Sequence, residues 1–244
     1  MTSAGRPTRR ALLLSAGGLV AAGGGYAAGS AASADASRSQ PSAASQLPSP
    51  GEDLMEEHGL LIRILLIYRH LSARQAAGRE LPAPRVHAAA LIVHDYIEAF
   101  HEPLEEAYVF PLLRRVQHME PLVSTLLLQH ARGRQLTQLI LAESNGSGPV
   151  PAAAALRVSR AMEAFVQMYE PHEAREDTVV YPAFRALLTP ERLADLAGHF
   201  VELQREQFGN GAFATMVAKV AEIERSLGIY DLAQFTPPNL TPPS

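Results

Sequence analysis

The chain has 244 residues, 47% hydrophobic and 19% charged, which suits one well-cored domain with appendages and is too apolar for wholesale disorder. Cysteine is absent, which excludes disulfide scaffolds, thiolate zinc sites, cysteine-ligated iron–sulfur clusters and thiol nucleophiles together. The formal net charge of -4 gives no electrostatic footprint for nucleic acid.

Residues 1–34 carry Arg6, Arg9 and Arg10 and no acidic residue. An apolar Gly/Ala-rich stretch runs from Ala11 to about Ala28, followed by Ala32-Ser33-Ala34. This is the layout of an export signal with a small-residue cleavage site. Thr8-Arg9-Arg10-Ala11-Leu12-Leu13 resembles a twin-arginine signal, whose h-region is only weakly hydrophobic. The glycines and the short length argue against a transmembrane anchor, so no stable membrane span is expected after signal removal. The expected location is the periplasm or outside the cell. The twin-arginine resemblance implies export of a folded protein, often with its cofactor loaded, and prompts a search for a metal. Without residues 1–34, 18 basic residues face 25 acidic ones, a formal charge of -7. Residues 35–50, rich in Ser, Ala, Gln and Pro, read as a flexible linker.

The spacing then predicts four long helices. The first covers roughly 51–73, with His58, Leu61, Ile62 and Leu65 on one face. The second covers roughly 84–114 and places Ala90, Leu91, His94, Ile97, His101, Glu105 and Tyr108 together. Pro103 lies inside it and is expected to kink it. The third covers roughly 120–143, with Leu126, Leu127, His130 and Leu141 near one stripe. The fourth covers roughly 151–188, with Met162, Phe165, Tyr169, His172, Glu176 and Val179. Turn residues interrupt the pattern at 78–84, 117–121 and 145–151. No strand-like alternation stands out. The fold class expected is all-α, an up-down-up-down four-helix bundle over 51–188 with one additional C-terminal helix within 189–235 and a Pro-rich tail at 236–244.

An internal repeat carries more information than any helix alone. His101-Glu102-Pro103-Leu104-Glu105-Glu106-Ala107-Tyr108-Val109-Phe110-Pro111 lies over His172-Glu173-Ala174-Arg175-Glu176-Asp177-Thr178-Val179-Val180-Tyr181-Pro182, an offset of 71 residues. His58 and His130 are offset by 72. The first helix pair thus recurs as the second pair. Two such pairs packed about a pseudo-twofold axis would bring four histidines and two glutamates together.

A His and a Glu at i and i+4 share one helix face. On an apolar face they are costly to bury unless paired, hydrogen-bonded or bound to metal. The set His58, His101, Glu105, His130, His172 and Glu176 suits two first-row metals. With both carboxylates bridging, each metal receives two nitrogens and two oxygens and keeps two octahedral positions open. Imidazole with carboxylate favours iron, with manganese or zinc as fallbacks.

At this point the sequence resembles the hemerythrin-like, HHE cation-binding family over about 52–188. The resemblance rests on His58, on His101-x-x-x-Glu105 with Phe110-Pro111, on His130, and on His172-x-x-x-Glu176 with Tyr181-Pro182. It implies a four-helix bundle around a non-haem di-iron centre, oxo- or hydroxo-bridged, with Glu105 and Glu176 bridging. The sequence departs from the oxygen-carrying hemerythrins, which have a second histidine where Arg134 stands. Those proteins also end in His-x4-Asp, so Asp177 is an alternative to Glu176, although Glu176 is the residue that lies over Glu105. The departure leaves room for redox or nitric-oxide chemistry beyond simple oxygen carriage.

The implied function is binding of a small diatomic ligand, O2 or NO, for storage, sensing or scavenging. The alternatives are a di-iron oxidoreductase acting on peroxide, NO or Fe(II), or a redox-inert zinc or manganese module. Whether the chain is an enzyme, and what redox partner it meets, stay open. His94, Tyr108 and Tyr169 are candidates for an outer layer around the metals, though a solvated His94 and core packing for the tyrosines are the simpler readings. The acidic run Glu52, Asp53, Glu56 and Glu57 reads as a favourable helix N-terminus, and His199 as an ordinary helix residue.

Overall fold

A computed structural model describes residues 47–238. The expected export signal, the expected linker up to residue 46 and the tail beyond Pro238 lie outside the described residues. Helix α1 spans Pro50–Ala76. Its start is fixed by a capping box in which the Ser49 hydroxyl accepts from the Glu52 amide at 3.4 Å and Glu52 accepts from the Ser49 amide at 2.8 Å. Pro50 follows, pre-set for the first helical turn. Helix α2 occupies 83–113, α3 spans Glu120–Glu143, and α4 occupies 152–186.

The sequence pattern expects one helix after the bundle, whereas the structure has two. Helix α5 spans Pro190–Phe208 and α6 spans Ala212–Leu227. Gly209 and Gly211 adopt φ of 82° and 73° between them, a backbone region that favours glycine and ends a right-handed helix. Leucine and phenylalanine side chains on both sides of that turn continue the helical period, which is why periodicity alone reads through it. The described residues are otherwise helix and turn, with one isolated antiparallel bridge between Pro82 and Pro149 joining two connections.

Helices α1 and α3 both pack on α4, and α2 packs on α1 and α3. The four thereby close a ring around one core that includes Leu61, Ile64, Tyr68, Phe110, Phe165 and Tyr169. Helix α5 lies on α1, and α6 covers α1 and α2. Arg63 on α1 pins α6 through Glu224, with Nε and Nη2 at 3.0 and 2.5 Å from its carboxylate.

Helices α2 and α4 are not uniformly α-helical. Within α2, Val93–His101 and Glu105–Val109 are π-helical, and within α4 so is Glu176–Val180. The stretches Glu105–Val109 and Glu176–Val180 are repeat equivalents. Pro111 and Pro182 follow each of them, and neither has an N–H to give to the preceding turn, so the ladder widens to i→i+5 there. The disturbance expected from Pro103 takes the same form in Val93–His101. Proline also removes the i+4 donor of the Ala99 carbonyl, and Gln207 of α5 supplies one at 3.3 Å.

The π stretch corrects the expected face of α2. More residues per turn rotate the segment before His101, so Tyr96, Ile97, Phe100 and His101 are buried while Leu91 and His94 are exposed. His94 pairs with neighbouring Asp95 at 2.7 Å and does not join the histidine cluster. No described helix is long and apolar enough to cross a membrane.

Candidate metal centre

His58 from α1, His101 and Glu105 from α2, His130 from α3, and His172 and Glu176 from α4 all reach the middle of the ring. All six are buried. They form two triads, His58–His101–Glu105 and His130–His172–Glu176. The triads share their carboxylates. Glu105 Oε2 lies 3.7 Å from His101 Nε2 and 3.4 Å from His130 Nε2. Glu176 Oε2 lies 3.1 Å from His172 Nε2 and 3.4 Å from His58 Nε2. Each glutamate therefore stands between one histidine of its own helix and one of the opposite pair.

The outer nitrogens are all engaged. His101 Nδ1–H donates to Glu57 at 2.8 Å and His172 Nδ1–H donates to Gln129 at 2.9 Å. His58 Nδ1–H donates to Asp177 at 2.7 Å and His130 Nδ1–H donates to Glu106 at 3.0 Å. The pattern obeys the repeat. The residue before each lone histidine holds the ring of the His-x-x-x-Glu motif in its own helix pair. The residue after each motif glutamate holds the lone histidine of the other pair. A carboxylate or amide oxygen at Nδ1 fixes the tautomer whose Nε2 lone pair points inward.

The inner atoms are short of partners. His58 Nε2 faces His101 Nε2 at 3.1 Å, and His130 Nε2 faces His172 Nε2 at 3.3 Å. Glu105 Oε2 and both oxygens of Glu176 are buried without a well-formed hydrogen bond among the described residues. Four inward lone pairs and three orphaned carboxylate oxygens are an acceptor set without donors, which a cation satisfies and apolar packing does not. Burial, reinforced by the charge of Glu176, holds the Glu105 carboxyl well above its ordinary range. Burial opposes ionisation of Glu176 too, yet the His172 and His58 rings outweigh it and hold that carboxyl low. Burial also pushes the His130 ring down to about 4, which keeps its lone pair free.

The remaining expected residues sort by distance. Asp177 is turned away from the centre and engages His58 from outside, whereas Glu176 faces inward. The Tyr169 hydroxyl donates to Glu102 at 2.7 Å, and its ring lies 5.1 Å from that of His172. Tyr108 does not reach the centre. Its hydroxyl meets His199 Nε2 of α5 at 2.8 Å, because the π turn over Glu105–Val109 carries it to the α5 side. His199, an exposed residue of α5, thus also ties that helix to α2.

Sequence reasoning missed five participants. Glu57, read from the sequence as part of an acidic helix N-terminus, belongs to the site: it is buried, and the Tyr96 hydroxyl also donates to it at 2.8 Å. Gln129, Glu106 and Arg134 were visible as neighbours of motif residues, and Glu57 and Gln129 share the 72-residue offset. Arg134, where oxygen carriers have a histidine, places its guanidinium 2.6 Å from Glu102 and 2.7 Å from Glu106. A third grouping of potential metal ligands, Glu102–Glu106–His130, already has that guanidinium on both of its carboxylates. Tyr181 is the fifth. Its hydroxyl donates to Glu105 Oε1 at 2.7 Å and lies 3.2 Å from His58 Nε2. Its repeat equivalent is Phe110, which packs on His130 at 5.6 Å between ring centroids.

An all-helical bundle that buries this donor set is a cation-binding helical protein. The family model described as the hemerythrin HHE cation-binding domain matches residues 49–183. The chain belongs to that family. An uncharacterized protein of Mycobacterium tuberculosis and another of Mycobacterium bovis are each 46% identical to it over 186 residues, covering 76% of this chain and 73% of theirs. No solved structure matches it.

Proposed function

We propose that the chain is an exported non-haem di-iron protein, an up-down-up-down bundle that takes O2 or NO for storage, sensing or scavenging. The observation that carries this reading is the convergence of four Nε2 lone pairs and two shared carboxylates, with every Nδ1 held from behind. His58 and His101 would hold one iron, His130 and His172 the other, and Glu105 and Glu176 would span both. Nitrogen and oxygen donors in this ratio suit iron, with manganese as a fallback, while zinc in the same set would make a redox-inert module. Iron bound here supplies ligand binding and electron transfer at the positions the protein leaves free. The chain contributes the rest: buried Ile, Leu and Phe side chains exclude water, and the Nδ1 partners fix the rings. The sequence of residues 1–34 supports export by the twin-arginine route to a periplasmic or extracellular location.

One observation favours a second reading, turnover of peroxide, NO or Fe(II). The Tyr181 hydroxyl keeps a proton between Glu105 and His58, on the inner side of the cluster, where a reacting molecule would need it.

Metal content and the visible spectrum of the aerobically purified chain test both readings, with His101→Ala and His172→Ala beside it. About two irons per chain with oxo-bridged diferric absorption, both lost in the variants, is the expected result. Zinc, manganese or no metal after iron-replete expression overturns the iron readings. Multiple turnovers with peroxide or NO would select the enzyme, and stoichiometric gas binding the carrier or sensor.

A further inference from the structure

The two halves of the bundle are repeats inside but not at their faces. On one face Glu102 and Glu106 are closed off by Arg134, and Tyr169 also donates to Glu102. The equivalents on the opposite face are Glu173 and Asp177, with Ile62 in place of Arg134 and Glu98 in place of Tyr169. Among the described residues no guanidinium and no tyrosine hydroxyl reaches Glu173. Its side chain is 3% exposed, and its Oε1 has no hydrogen-bond partner among the described residues. It lines a groove of about 340 Å³ between α1 and α4, together with Ile62, Leu65, Glu170 and Asp177.

A buried carboxylate oxygen without a donor is costly, and it persists where a ligand can meet it. The groove orders its acids. Along α4, Glu170 sits at the surface and pairs with Arg69, Glu173 one turn on is buried, and Asp177 one turn beyond that, a third exposed, touches His58 from outside. The end of this line is the outer, Nδ1 side of His58, whose Nε2 faces Glu176 at 3.4 Å.

We propose that this groove is an entry site for divalent metal ions, in which Glu173 takes the cation from solvent and passes it toward His58 and Glu176. This rests on the metal-centre reading above. The opposite face is shut by Arg134, so the chain loads from one side although its centre is nearly symmetric. Ile62 is 47% exposed, and its small apolar side chain leaves the passage open.

The test uses the full-length chain, stripped by a chelator and reloaded with Co(II), whose d–d absorption reports each filled site in a stopped-flow instrument. Ile62→Arg copies the guanidinium of the closed face onto the open one. It is expected to slow loading by about tenfold or more, the scale of electrostatic gating, and to reach the same final cobalt content and spectrum as wild type. Glu173→Gln, nearly isosteric, is expected to slow loading as well. Circular dichroism establishes that both variants fold. Loading of both at the wild-type rate overturns the entry site and leaves the centre standing. Failure of the wild-type chain to take up cobalt overturns the metal-centre reading itself.

Discussion

Glu57 and Gln129 perform one task with different chemistry. Glu57 accepts the Nδ1 proton of His101 at 2.8 Å, and Gln129 accepts that of His172 at 2.9 Å from the equivalent place in the other half. A carboxylate partner raises the basicity of a ligating imidazole more than an amide does. On the proposed two-metal reading the two positions are therefore electronically unequal, although their inner donors match. Glu57→Gln is expected to weaken binding at the His101 position by about 10- to 100-fold and leave the His172 position nearly unchanged. Competition with a chelator of known affinity measures this. Equal loss at both positions would refute the assignment.

The Glu106 carboxyl is held down to about 2, first by the hydrogen bond from His130 and then, against burial, by Arg134. A carboxyl whose folded value lies below its unfolded value stabilises the fold above the unfolded value. That contribution is lost as pH falls from about 4.3 toward 2. Arg134→Ala raises the Glu106 value and shrinks this contribution. Its melting temperature is thus expected to fall less steeply than that of wild type between pH 4 and 2. Thermal melts across that range, with chelator present, decide the point.

Gly133 on α3 lets the Tyr169 hydroxyl pass to Glu102. A Cβ at 133 would stand 2.8 Å from ring carbons of Tyr169 and closer still to its oxygen. The ring is buried and has no room to retreat, so Gly133→Ala is expected to destabilise by about 1–3 kcal/mol despite its better helix propensity. Adding Tyr169→Phe should recover part of that loss in denaturant unfolding. A stabilised Gly133→Ala chain would contradict this packing.

Arg63 holds α6 on the bundle through Glu224, which is almost buried. Arg63→Ala leaves that carboxylate without its partner and is expected to cost about 1.5–3 kcal/mol. Arg63→Ala with Glu224→Ala should cost less than Arg63→Ala alone. Urea unfolding of both single variants and the double provides the comparison, and an additive loss would show that the pair is not coupled.

The sequence by itself determined the six inner residues, because a His-x-x-x-Glu spacing needs only the pitch of a helix and the 71-residue offset needs only counting. It also determined the helical class and the four long helices, since apolar period and turn residues are local properties. The register around His94 and Tyr108 was not legible. It depends on π turns whose cost is met by packing and by donors from distant helices, such as Gln207 on the Ala99 carbonyl. The break at Gly209–Gly211 was hidden by apolar residues that keep the helical period on both sides. Only the tertiary structure decided that Glu57 serves His101 and that Arg134 closes Glu102 and Glu106. It alone also turned Asp177 outward and Tyr181 inward. Those roles follow from where four separate helices meet, and burial converts a change of one side chain, phenylalanine to tyrosine or arginine to isoleucine, into a difference between two otherwise equivalent halves.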